Sequence, residues 1–120
     1  MIVKRVTAAG RAPRGGELFV GTHEYQRIFG GDESGQFHLS EMSFRDGNRT
    51  RLHVHTSDQI IIVTSGEGIV ASADTERRIA VGDVALLAAG EPHWHGASAL
   101  GTVTFWSVLG PHQTRLAQVE

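Results

Sequence analysis

Cysteine is absent from these 120 residues. That excludes disulfides and thiolate metal sites and leaves histidine, carboxylate and amide groups as the donors for any bound ion. No basic run stands out either. Lys+Arg 11 against Asp+Glu 13 give a net charge of -2, so a phosphate backbone finds no electrostatic footprint and nucleic acid is excluded as a partner. No apolar stretch is long enough to span a bilayer, and Met1 to Ala9 carries Lys4 and Arg5 without the apolar run of a signal peptide. No membrane partner is therefore expected, and the cytoplasm is the expected location. Apolar residues also lack a sustained helical period, which speaks against a helical fold.

What the chain has is glycine, 15 residues of it, punctuating short runs of β type. Ile2 to Val6 alternates as an opening strand of the kind that pairs with another subunit or exchanges onto it, and Ala8 to Gly16, with Pro13, reads as a flexible connector. Strands are predicted at Leu18 to Val20, Tyr25 to Phe29, Gln36 to Phe44, Gln59 to Thr64, Ile69 to Ala73, Arg77 to Ala80, Val84 to Ala88 and Thr102 to Leu109. Gly30 to Gly35 and Val81 to Asp83 are turns, and Ser65 to Gly68 reads as a hairpin turn. Gly110-Pro111 stops the last strand, and the tail to Glu120 is expected to fray or form a short helix. About ten short strands make one all-β domain over residues 1–120, a sandwich or small barrel. A core of this size gains from a bound metal or a partner subunit.

The chemistry concentrates between Gly47 and Gly66, GNRTRLHVHTSDQIIIVTSG. Side chains at i and i+2 of a strand leave on the same side, with Cα atoms about 6.6 Å apart, so His53 and His55 can converge on one point. That is metal-ligand spacing for a strand. Gln59 follows on the parity of Ile61 and Val63, while Ile60 and Ile62 point the other way. Apolar residues at both parities imply that a second sheet or a second subunit covers the outer face. Downstream, His93 and His95 repeat the His-x-His spacing, and either of them can supply a third imidazole. Trp94, between them, faces the other way and reads as core or interface filling. His38 shares a face with Ser40, Met42 and Phe44 and stands at a cavity or its rim; His23 and His112 carry no signal.

These stretches resemble the cupin motifs. The first motif, glycine, five residues, His-x-His, an acid, then glycine, runs from Gly47 through His53 and His55 to Gly66, with Gln59 in place of the usual glutamate. Of the second, Gly82, Gly90 and His93 are in register, whereas Ala88 and Ala97 stand where proline and asparagine are usual. Within the family, His-x-His-x3-Gln followed by HWHGA is similar to the small single-domain bacterial cupins, including manganese-dependent hydroxynitrile lyases. The resemblance implies a double-stranded β-helix (jelly-roll) barrel and a metal held by His53, His55, Gln59 and His93. His95 is then left as an acid/base residue, with His38 a second candidate for that role. In the lyases the last inward strand supplies a histidine; here TVTFWSVLG offers Phe105 and Trp106.

Such a site would hold one divalent transition metal per chain, manganese, iron, nickel or zinc. Three imidazoles and a neutral amide leave the ion its full charge, so it is a strong Lewis acid toward alkoxides, enolates and small anions. The expected function is a metal-dependent enzyme on a small oxygenated molecule, of lyase or isomerase type. A dioxygenase, if the ion is iron, and a non-catalytic module binding a small ligand or metal are the alternatives. Met42, Phe105 and Leu86 are expected as apolar walls. Ile60, Ile62 and the opening strand predict a homodimer.

Overall fold

A computed structural model describes residues 1–117. In chain order its elements are a 3-10 turn (Ala8–Gly10), then β1 (Ala12–Arg14), β2 (Phe19–Val20), β3 (His23–Phe29), β4 (His38–Arg45), β5 (Arg49–Thr50), β6 (His53–His55) and β7 (Gln59–Ser72). There follow β8 (Glu76–Ala80), β9 (Val84–Leu87), β10 (His93–Ala97), β11 (Thr102–Leu109) and β12 (Thr114–Leu116). The fold is the all-β jelly-roll barrel expected from the sequence. No helix among the described residues is long and apolar enough to cross a membrane.

One strand joins the two faces of the curled sheet. The first part of β7 pairs with β11 and β9, and β11 continues through β4 and β3 to β1. Its second part pairs with β8 and β10, and β10 leads to β5 with β2 and to β6 with β12. The hairpin turn expected at Ser65 to Gly68 is instead the corner at which β7 passes from one sheet to the other. Thr104 faces Ser65 while Phe105 faces Val63, so Thr64 is an extra residue that bends the strand. Gly66 has φ 72, and a Cβ there would collide with the Thr102 carbonyl. A bulged corner and a turn carry the same glycine signature, and only packing against two sheets separates them.

Parity on β7 follows the expected pattern. Gln59, Ile61 and Val63 are buried, and Ile61 and Val63 pack with Met42, Phe44, Val103 and Phe105 in the core. On the other face Ile60 stands opposite Leu86 and Ile62 opposite Val84. Leu86 is 67% exposed and does not line the cavity at the histidines; Leu87, one residue on, carries the inward parity of β9. No second sheet covers this face among the described residues. Along β11, Phe105 is fully buried, whereas Trp106 leaves on the outer side and donates from Nε1 to Glu41 Oε2 at 2.8 Å.

The connector and the tail depart from expectation. Residues 1–7 make no strand pairing with other described residues, and Lys4 holds them by donating to the Ile28 carbonyl at 2.6 Å and pairing with Glu33. The stretch read as a connector holds a strand, because Pro13 sits on the edge strand β1, where a missing N–H costs little. The tail expected to fray or turn helical re-enters the sheet: Thr114, Arg115 and Leu116 pair with His55, Val54 and His53. The rest of that expectation, at residues 118–120, lies outside the described residues.

Candidate metal centre

Strand β6 is three residues long, and all three are buried. Its two histidines bring their Nε2 atoms to 3.2 Å of each other. Across the ladder His93 pairs directly with His53, with ring centroids 4.3 Å apart, and the His93 ring lies 5.1 Å from that of His55. One ring nitrogen from each of the three lies within 4.8 Å of the others.

The outer edge of each ring is tied down. His53 Nδ1 donates to the Arg51 carbonyl at 2.6 Å, and His93 Nδ1 donates to the Glu91 carbonyl at 2.9 Å. A carbonyl only accepts, so the proton of each neutral ring sits on Nδ1 and the Nε2 lone pair points inward. His55 Nδ1 lies 2.7 Å from Thr114 Oγ1, which can accept in the same way. Burial, the largest cause, lowers the pKa of His53 to about 4 and of His55 to about 3; neighbouring histidines push both the same way. His93 is lowered too, again mainly by burial. Three neutral imidazoles thus turn lone pairs toward one small space, a donor set that fits a divalent cation.

Gln59 faces the same space. Its Nε2 donates to Ser107 Oγ at 2.8 Å, which turns Oε1 inward to 2.9 Å from His93 Nε2. With the His93 proton on Nδ1, both facing atoms present lone pairs.

His95 stands apart from the group. Its side of β10 faces inward, its backbone N–H is held by Thr50 Oγ1 at 3.0 Å, and its ring lies 6.0 Å from that of His53 and 6.2 Å from that of His93. It is 1% exposed, and neither ring nitrogen has a hydrogen-bond partner among the described residues. Burial, followed by the surrounding histidines, holds its pKa well below the usual value. His38 is half-buried, with its ring 5.8 Å from His112, which in turn lies 5.1 Å from His55. Trp94 leaves β10 on the opposite face, beneath the Arg49 guanidinium at 4.2 Å.

A cavity of about 190 Å³ opens onto His53, His55, Gln59 and His95, and His38 and His112 also line it. Several residues that shape it carried no role in the sequence. Ser107 shares the inward parity of Phe105 and could have been found from that alone. Thr114 gave no signal, because it lies past the stop at Gly110-Pro111. His23 proves to be buried, stacked on Phe44 at 4.6 Å. Burial and then Arg14 lower its pKa to about 4.

The family described as Cupin domain matches residues 40–109. An (R)-mandelonitrile lyase from Granulicella tundricola is 32% identical over 111 residues, covering 90% of this chain and 83% of that protein. Among solved structures, a cupin-like protein from Thermotoga maritima superposes with a TM-score of 0.80 at 23% identity, over 91% of this chain and 87% of the other. The polyketide cyclase RemF from Streptomyces resistomycificus does so with a TM-score of 0.79 at 18% identity, over 99% and 88%. The last two likenesses speak to the fold.

Proposed function

The chain belongs to the cupin family, and from that premise we propose that it is a divalent-metal-dependent enzyme of lyase type acting on a small oxygenated molecule. The observation that carries this reading is the inward turn of four donors whose other edges are already bonded: His53, His55, His93 and Gln59. They would hold one ion, manganese, iron, nickel or zinc. Bound there, the ion supplies Lewis acidity toward a substrate oxygen, undiminished by a ligand carboxylate.

The chain's own residues divide the remaining work. His95 offers the cavity a neutral ring with free nitrogens. One accepts the proton of a substrate hydroxyl as that oxygen forms a carbonyl and the neighbouring C–C bond breaks with its electron pair on the leaving carbanion, which then takes the proton. His38, half-buried beside His112, takes protons between the cavity and water. Phe105 packs against the His95 ring at 5.6 Å and keeps that side dry. The lyase assignment, in preference to isomerase or oxygenase, draws on the relative named (R)-mandelonitrile lyase. This chain carries Phe105 where the resemblance to such lyases calls for a histidine, so His95 is the residue that takes the substrate's proton, and His38 passes protons on to water. The test is cleavage of mandelonitrile and related 2-hydroxynitriles by metal-loaded protein. Aldehyde release that stops with a chelator and with His95→Ala supports the reading; release unaffected by both overturns it.

The same reading includes a homodimer. Ile60, Ile62, Val84 and Leu86 form one apolar patch on the outside of β7 and β9, and a second copy is the partner whose matching face would cover it.

A further inference from the structure

The cavity beside the histidines is lined by a cation that no carboxylate balances. Arg14 and Arg27 line it, and no aspartate or glutamate does. Arg27 pairs with Asp32 at 3.2 Å. Arg14 has no carboxylate partner among the described residues. It is half-buried at the end of β1 and is held in place from several sides. Its Nε donates to His23 Nε2 at 3.2 Å, and its guanidinium carbon lies 3.6 Å from the centre of the Tyr25 ring and 4.9 Å from that of Phe19. His23 is braced by Phe44, so the guanidinium has little freedom to swing into water. Burial lowers its pKa, opposed by Tyr25, yet an arginine stays a cation at any working pH. A cation drawn out of water is ordinarily matched by an anion, and a guanidinium fork fits a carboxylate.

We infer that Arg14 is the carboxylate-binding residue of this cavity, and that the ligand is a small monocarboxylate with an apolar body about the size of benzoate. The inference rests on the reading above in placing its ligand beside the proposed metal centre. Size follows from the volume. An apolar cavity of about 150 Å³ holds benzene, so one of about 190 Å³ holds a ring with one planar head group. The walls agree: Phe19, Phe29, Leu39, Met42 and Leu109 supply apolar surface, with Arg14 and the histidines among the polar residues that line it. The ring contacts His23 to Phe44, Phe44 to His95 and His95 to His53 separate the two polar regions. Arg14 and the histidine cluster therefore address different parts of one ligand. His23 acts as a positioning residue: neutral at Nε2, it accepts from Arg14 and aims the remaining edge of the fork.

The experiment titrates benzoate, and benzamide as its neutral isostere, into metal-loaded protein, chelator-stripped protein and metal-loaded Arg14→Gln and Arg14→Lys, by calorimetry. Wild type binds benzoate at least about tenfold more tightly than benzamide, loaded or stripped, as a charge-assisted pair requires. Arg14→Gln loses that preference while its benzamide affinity and metal content stay at wild-type values. Arg14→Lys loses most of it, because a point charge replaces the fork, and this variant decides the matter if Arg14→Gln folds poorly. A preference unchanged in the arginine variants overturns the inference, as does wild type that prefers benzamide or binds neither probe. A preference abolished by chelator yet indifferent to Arg14 refutes the inference and leaves the metal reading standing. A chain that takes up no metal but keeps an Arg14-dependent preference does the reverse.

Discussion

The Gln59 Oε1 atom lies 2.9 Å from His93 Nε2, and both are acceptors once His93 keeps its proton on Nδ1 for the Glu91 carbonyl. The contact makes sense as two sides of a cation site. It also tests what the amide is for. Gln59→Glu should bind metal at least as tightly, because a carboxylate is the better donor, and should bind azide more weakly, because the site loses one unit of positive charge. Paired titrations of metal and azide check this. If both affinities rise together, or azide binding is unchanged, the neutral amide does not serve to keep the ion electrophilic.

The groups behind the donors should matter nearly as much as the donors. Ser107→Ala removes the acceptor that turns Gln59, and Thr114→Val removes the partner of His55 Nδ1. Each should weaken metal binding by about tenfold to a hundredfold, as loss of a group orienting a metal ligand does elsewhere. Competition with a chromophoric chelator measures it. Unchanged affinity in both variants would show that the rings are held by packing alone.

Acid should destabilise the metal-free protein through its buried histidines. His23 and His53 titrate at about 4 and His55 at about 3 in the folded chain, all lowered chiefly by burial. An unfolded histidine takes its proton near pH 6.5, so below that pH the unfolded state binds more protons and gains on the folded one. Stability is therefore full above pH about 6.5 and is lost as pH falls toward the folded values, by up to about 1.4 kcal/mol per pH unit for each ring. Urea midpoints of chelated protein between pH 7.5 and 4.5 report the slope. His23→Phe, which keeps the ring against Phe44, should flatten it. A midpoint that does not move over this range contradicts the burial of neutral rings.

The outer face of β7 and β9 should be an interface. Light scattering should give twice the 13.0 kDa chain mass for wild type and the single mass for Ile60→Glu combined with Leu86→Glu. These side chains leave the sheet away from the core, so the double variant should keep the wild-type circular dichroism spectrum. Wild type that scatters as one chain removes the dimer from the account.

Much of the site could be read in the chain because strand geometry is periodic. His53-Val-His55 and Gln59 with Ile61 and Val63 follow from side chains alternating across a sheet; His93 and His95 share one parity, and the choice of His93 rests on its spacing from Gly90 in the cupin motif. Whatever depended on long-range pairing was hidden. Ser65 to Gly68 looked like a turn because a corner at Gly66 uses the same residue. Thr114 came back to His55 across 59 positions, which no local pattern announces. Leu86 and Leu87 are chemically alike, and their opposite fates rest on the register of β9 against Gln59 and Ile60. Arg14 and His23 acquired meaning only when an edge strand set them side by side.

Elemental analysis of protein purified without chelator tests the central claim most directly. Wild type, His38→Ala and His95→Ala should each carry about one divalent transition metal per chain, while His53→Ala and His93→Ala should carry almost none. Metal content that survives loss of both His53 and His93, or that disappears with His95 alone, would contradict the site.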